Sequence, residues 1–136
     1  EPLARVLANL GVKKAMVVYG QDGLDEISMS APTTVCEVKD GEFLSYVITP
    51  EQFGFTRCSK DELIGGSPQD NAQIALAILK GEKGPRRDAV VLTPAAAIHI
   101  AKGISIEDAI REAQEVIDSG KALAQLEQFA ALTNQE

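Results

Sequence analysis

Leu3, Val6, Leu7 and Leu10 recur at three- and four-residue intervals and are followed by Gly11. That spacing predicts a helix over 1–10, ending where glycine takes up the left-handed position after a helix. Pro2 suits a first turn, but no Ser, Thr, Asp or Asn stands before it as a cap. The segment is therefore expected to start inside, or at the edge of, a longer element. The period then changes. Ala15-Met16-Val17-Val18-Tyr19 is a continuous apolar run closed by Gly20, which predicts a buried strand of parallel type. After a Gly- and Asp-rich loop over 21–30 come two strand-like runs, 33–38 and 43–49. Lys39-Asp40-Gly41-Glu42 joins them, and its Asp-Gly pair predicts a hairpin turn. The alternation in both runs is too imperfect to set a register.

Residues 50–66 read as loop with one helical turn over 59–63. The remainder is helical. Ser67-Pro68-Gln69-Asp70 supplies a cap, a proline at the first helical position and an acid at the third, and Gly81 closes that helix. A second helix is predicted over 86–102 with Gly103 after it, kinked or split at Pro94. Ser105 caps a third, whose buried stripe is Ala109, Ile110, Ala113, Val116 and Ile117, and Gly120 ends it. A fourth runs over about 121–132. One parallel-type strand and one hairpin are too little sheet for four apolar-faced helices. Either the fold is a small α+β domain, or further strands of an α/β sheet lie on sequence outside this chain; the uncapped first helix favours the second.

Composition narrows the function classes. The chain has 136 residues, enough for one domain, with 45% hydrophobic and 24% charged residues, ordinary globular values. No apolar run approaches the ~20 residues of a membrane helix, and no membrane association is expected. Two cysteines, Cys36 and Cys58, make neither a disulfide framework nor a zinc site, and are expected to be small buried or half-buried side chains in a reduced, cytoplasmic setting. Twenty acidic against 13 basic residues leave a net charge of −7, which argues against binding to nucleic acid through phosphate neutralisation. With 4% aromatic residues and no Trp, base-stacking platforms are not expected either. A phosphorylated small molecule is still open, because carboxylates hold the magnesium such substrates carry.

Asp25-Glu26 is the strongest chemical candidate. Two adjacent loop carboxylates diverge in direction and can serve two ions, or one ion and its water shell; magnesium takes one or two carboxylates plus substrate oxygens. Against this stands the ordinary reading of an acidic dipeptide as solvated surface. His99, alone among core residues, reads as structural. Gly65-Gly66 before Ser67 resembles an anion-binding helix start, but reads first as a tight turn, since no P-loop lysine follows. Lys83-Gly84-Pro85-Arg86-Arg87 reads as a solvated loop whose arginines pair with nearby carboxylates.

The stretch LGVKKAMVVYGQDGLDEIS, residues 10–28, resembles the anthranilate phosphoribosyltransferase family of tryptophan biosynthesis. The likeness continues through Leu63-Ile64-Gly65-Gly66, Asp70-Asn71-Ala72, Gly81-Glu82-Lys83-Gly84-Pro85, Arg87-Asp88-Ala89-Val90 and Ile117-Asp118-Ser119-Gly120-Lys121-Ala122, in order and over nearly the whole chain. It concerns the C-terminal part only: the family's N-terminal helical dimerisation region, its pyrophosphate-cradling GTGGD loop and the upstream arginine for anthranilate have no counterpart here. The resemblance implies a three-layer α/β domain of phosphoribosyltransferase and nucleoside phosphorylase type, of which residues 1–136 are the C-terminal portion, contributing a β-hairpin and closing helices. It implies that Asp25 and Glu26 bind Mg2+ carried by phosphoribosyl pyrophosphate, with Glu26 shared between two ions. It implies a homodimeric parent enzyme that transfers a 5-phosphoribosyl group to anthranilate, and a segment that is inactive alone. Tyr19 departs from the histidine frequent in relatives, and Pro94 from their alanine or glycine. Two alternatives differ in class: a non-catalytic nucleic-acid-binding relative of the same fold, and a pyrimidine nucleoside phosphorylase-like enzyme.

Overall fold

A computed structural model describes residues 1–134. Helix α1 (Pro2–Asn9) leads into three strands, β1 (Lys14–Gly20), β2 (Thr33–Lys39) and β3 (Glu42–Ile48). Two short 3-10 turns, Pro50–Phe53 and Lys60–Leu63, bridge to α2 (Pro68–Leu79), α3 (Pro85–Lys102), α4 (Ile106–Asp118) and α5 (Lys121–Thr133). The α/β class and all four C-terminal helices agree with the pattern of the sequence.

The strands form one sheet in the order β1-β2-β3, with both pairings antiparallel. The expectation of a parallel β1 is thus corrected within this sheet: Val17 lies opposite Cys36 and Gly20 opposite Thr33. The reason lies in what covers the strand. Met16 and Val18 pack towards the main core, whereas Ala15 and Val17 pack with Ala4, Ala8, Cys36 and Val38 beneath α1. A strand covered on both faces is apolar at every position, whichever way its neighbour runs. The β2–β3 connection is the two-residue hairpin expected from Asp40-Gly41. Lys39 pairs with Glu42, and both turn residues have positive φ, 49° and 87°, as a type I′ turn requires.

The main core lies between the sheet and the α3–α4 pair. Val35 and Ile48 from the sheet, Ile27 and Met29 from the loop after β1, Val91, Leu92 and Ala95 from α3, and Ala109, Ile110 and Ala113 from α4 are all buried. With α1 on the opposite face, the segment has three layers. Helix α3 runs unbroken through Pro94, so the expected split is absent. Val116 is 37% exposed and leaves the predicted stripe. It lies at the margin of an arc centred on Ala113 and Ile117, where the neighbouring elements no longer reach. Cys36 is buried and Cys58 half-buried, as expected, and both are free thiols. Among the described residues, no single helix is long and apolar enough to cross a membrane.

Arg87 corrects the solvated-loop reading of residues 83–87. The loop ends at Gly84, and Arg87 in the first turn of α3 is only 3% exposed. Its Nη2 lies 2.9 Å from Asp118 Oδ1 at the end of α4, and Lys83 Nζ lies 3.0 Å from the same oxygen. The pairing with a carboxylate expected for this segment does occur, and it clasps the start of α3 to the end of α4. Hydrogen bonds from Arg87 and Lys83 hold the Asp118 carboxyl below its ordinary pKa. A lowered folded-state pKa contributes stability that is present above the unfolded value and lost as pH falls through the folded one. Asp118→Asn should therefore destabilise the protein at neutral pH and flatten its acid limb below about pH 4. Thermal melts of both proteins across pH 2–7 read this out, and parallel acid limbs would disprove the clasp.

Candidate metal-binding loop

The loop after β1 is tied down at its root. Gly20 N donates to Leu24 O (2.9 Å), Gly23 N to Gly20 O (2.8 Å) and Gln21 N to Pro32 O (2.8 Å). Gly23 has φ +92°, a conformation that a side chain would strain. Asp22 then folds back into the loop. Its Oδ2 accepts hydrogen bonds from Ser28 Oγ (2.8 Å) and from the Ser30 hydroxyl. Ser28 Oγ in turn accepts from Ser30 N and Ala31 N, both at 3.0 Å, and Ser28 N donates to Thr33 Oγ1 at 2.9 Å. Burial raises the Asp22 pKa, but the bonds from Ser30 and Ser28 outweigh it and hold the carboxyl below its ordinary value. Lys60 donates to the Asp22 backbone carbonyl from the second 3-10 turn.

This knot presents Asp25 and Glu26 outward. Both are exposed, while Ile27, Ser28 and Met29 directly after them are buried. Among the described residues neither acid pairs with a Lys or Arg. Their one side-chain hydrogen bond comes from Thr93 on α3, whose Oγ1 lies 3.2 Å from Glu26 Oε2. Thr93 also lines an apolar hollow of about 260 Å³ with Met16, Val18, Ile27, Ala96 and Ile100. No three His, Cys, Asp or Glu side chains among the described residues gather into a metal site of their own. Two uncompensated carboxylates with open coordination nevertheless fit magnesium, which binds through one or two carboxylates and completes its octahedron with water and substrate oxygens.

The other candidate residues have local duties. The Gly65-Gly66 turn leaves no open anion site, because Gly66 N donates to Asn71 Oδ1 (2.8 Å) and Ser67 N to Asp70 Oδ2 (3.0 Å). A Cβ on Gly65 would sit 2.2 Å from Asn71 Oδ1, so the glycine is needed for that bond. His99 ties the end of α3 to the sheet. Its Nδ1 meets the Ile104 carbonyl, and its Nε2 lies 3.5 Å from Glu37 Oε1, while Tyr46 donates to Glu37 Oε2 at 3.0 Å. Burial and Glu37 push the Tyr46 pKa upward. Asp22, Ser28, Ser30 and Thr93 were not foreseen as site residues. A signal for the first three exists in the sequence, since serines flanking the buried Met29 need local partners.

A strand-end acidic loop on a layered α/β scaffold is the arrangement in which such folds hold ligands. The chain belongs to the Glycosyl transferase family, a/b domain, which matches residues 1–123. Among individual relatives, it is 58% identical over 135 residues to the anthranilate phosphoribosyltransferase of Methanobrevibacter smithii, covering 98% of this chain and 40% of that protein. It is 53% identical over 135 residues to the enzyme of the same name from Lachnoclostridium phytofermentans, with the same shares covered. The crystal structure of anthranilate phosphoribosyltransferase from Thermus thermophilus superimposes with a TM-score of 0.86 at 39% identity, over 96% of this chain and 38% of that one. The Saccharomyces cerevisiae enzyme in complex with PRPP and Mg gives 0.84 at 27% identity, over 93% and 37%. The chain thus spans about two fifths of the length of these relatives.

The root of the loop has its own test. An added Cβ on Gly20 would lie 2.8 Å from Asp22 Oδ1, 3.1 Å from Ser28 Cβ and 3.2 Å from Leu24 Cβ. Gly20→Ala should cost about 1–3 kcal/mol through overpacking, measured by urea unfolding. An unchanged midpoint would show that the loop is looser than described.

Proposed function

We propose that this chain is the C-terminal portion of the catalytic α/β domain of an anthranilate phosphoribosyltransferase, and that Asp25 and Glu26 are its magnesium ligands. The observation that carries this reading is the exposed, uncompensated acid pair held outward by a buried knot, in a chain whose relatives bear that name. The reaction joins C1 of the ribose to the amino nitrogen of anthranilate, breaks the C1–O bond to pyrophosphate and releases one proton. Magnesium, when bound with the substrate, supplies positive charge beside the departing pyrophosphate. Asp25 and Glu26 hold that charge in place before the bond breaks, which is where electrostatic preorganisation acts. The anthranilate amine attacks with its own lone pair and needs no base beforehand. The nucleic-acid-binding alternative sits poorly with a net charge of −7.

The reading assigns substrate cradling, and the homodimer contact, to the part of the parent protein outside this segment. The outer edge of β1, which pairs with no other strand among the described residues, and the apolar hollow beside Thr93 are surfaces on which that part would pack. Leu3 (67% exposed) and Leu10 (76%) on and after α1, with Phe129 (62%) and Leu132 (59%) on α5, leave further apolar surface open. The segment alone should therefore self-associate and show no transferase activity. Sedimentation and a fluorescence assay for anthranilate consumption check both, and an active monomer would overturn the reading.

In the full-length protein, Glu26→Gln should lower turnover roughly 10²–10³-fold, with Asp25→Asn less severe if Glu26 serves two ions. Added magnesium should partly rescue Asp25→Asn by mass action. Neither change should move the melting temperature of the metal-free protein appreciably, since both side chains are exposed. Turnover near normal at limiting magnesium in both variants would return the pair to solvated surface.

A further inference from the structure

Thr93 sits in the middle of α3, 67 residues from Glu26 in sequence, and is the one side chain that hydrogen-bonds to either acid among the described residues. A threonine hydroxyl within a helix ordinarily turns back to a carbonyl of the preceding turn. Here it does not; among the described residues the one hydrogen bond of its hydroxyl goes across to Glu26 Oε2, at 3.2 Å. Both ends of the contact stand on rigid ground. Leu92 and Ala95, on either side of Thr93 and Pro94, are 1% and 0% exposed, and Ile27 after Glu26 is 6% exposed. The bond engages one carboxylate oxygen; among the described residues, Glu26 Oε1 and both Asp25 oxygens accept no side-chain hydrogen bond.

Building on the magnesium reading above, we propose that Thr93 is a positioning residue for the acidic pair: its hydroxyl fixes the Glu26 carboxylate so that the pair is set for an ion before the ion arrives. A site of two carboxylates completed by substrate oxygens has little protein to define its geometry, so an outer bond that fixes one ligand carries a large share of the preorganisation. Loss of such outer partners typically weakens metal affinity about 10–100-fold. Thr93→Val keeps the branched shape and its apolar contacts but removes the donor; Thr93→Ser keeps the donor and loses a methyl.

The test uses the full-length protein, with Mn2+ as the probe, titrated by electron paramagnetic resonance in the presence of phosphoribosyl pyrophosphate. Thr93→Val should weaken Mn2+ binding about tenfold and raise the magnesium concentration for half-maximal turnover by a similar factor. Its kcat at saturating magnesium should stay near the parent value, and Thr93→Ser should restore binding to within about threefold. Glu26→Gln, run in parallel, separates the two claims. If it leaves Mn2+ binding unchanged, the metal-site reading itself fails. If it abolishes binding while Thr93→Val binds as the parent does, only the role of Thr93 fails. Equal weakening in the Val and Ser variants, with lowered melting temperatures in both, would mark Thr93 as a packing residue and overturn the proposal.

Discussion

The carboxylate of Asp22 lies folded against Gly20, and the loop that follows β1 closes on it. Two serine hydroxyls satisfy Oδ2, whereas Oδ1 is buried without a hydrogen-bond partner among the described residues. A buried unpaired acceptor costs stability, so the knot persists because the surrounding bonds to Ser28, Ser30 and Thr33 over-determine it. Its consequence is directional. With Asp22 turned inward and Ile27 inserted into the core, the two acids between them have no inward course left, and both face solvent. The loop turns its half-buried carboxylate to shape and leaves two carboxylates exposed.

A flexible loop would have to be ordered by the ligand, and that ordering would be subtracted from binding. Here the ordering is done by folding, since the same residues that close the loop also join β1 to β2 and fill the core with Ile27 and Met29. The division of labour also separates stability from function. Asp22, Ser28 and Gly20 belong to the fold, and a change there disturbs both. Asp25 and Glu26 are exposed, and among the described residues their side chains make a single hydrogen bond, from Thr93 to Glu26.

Much of the architecture was legible because the signals were local. The Asp40-Gly41 turn, the Ser67 and Ser105 caps and the glycines after the helices are each read within four residues. Strand direction was not, because Ala15 to Tyr19 records burial on two faces and carries no information about the neighbour's sense. Pro94 misled for a related reason: a missing N–H weakens a helix, but Leu92, Ala95 and Ala96 buried around it hold the helix through the gap. The cluster 83–87 misled at Arg87, whose burial depends on Asp118, thirty-one positions away, a pairing that no local pattern contains.

The candidate site divides along the same line. Asp25 and Glu26 stand out in the sequence as adjacent acids after an apolar strand, and the knot behind them as closely spaced Asp and Ser. Thr93 lies in a helix between Leu92 and Pro94, and nothing in its neighbourhood distinguishes it from a core-edge residue. Its meaning arises only when α3 packs across the end of β1. That packing is set by apolar contacts between the sheet and α3, which bring together whatever polar groups stand at their rim. Side chains at such a rim are free to vary without cost to the core, so a hydroxyl there is available for a task that the core does not impose. In this chain, the task open to it is holding an otherwise unrestrained carboxylate still.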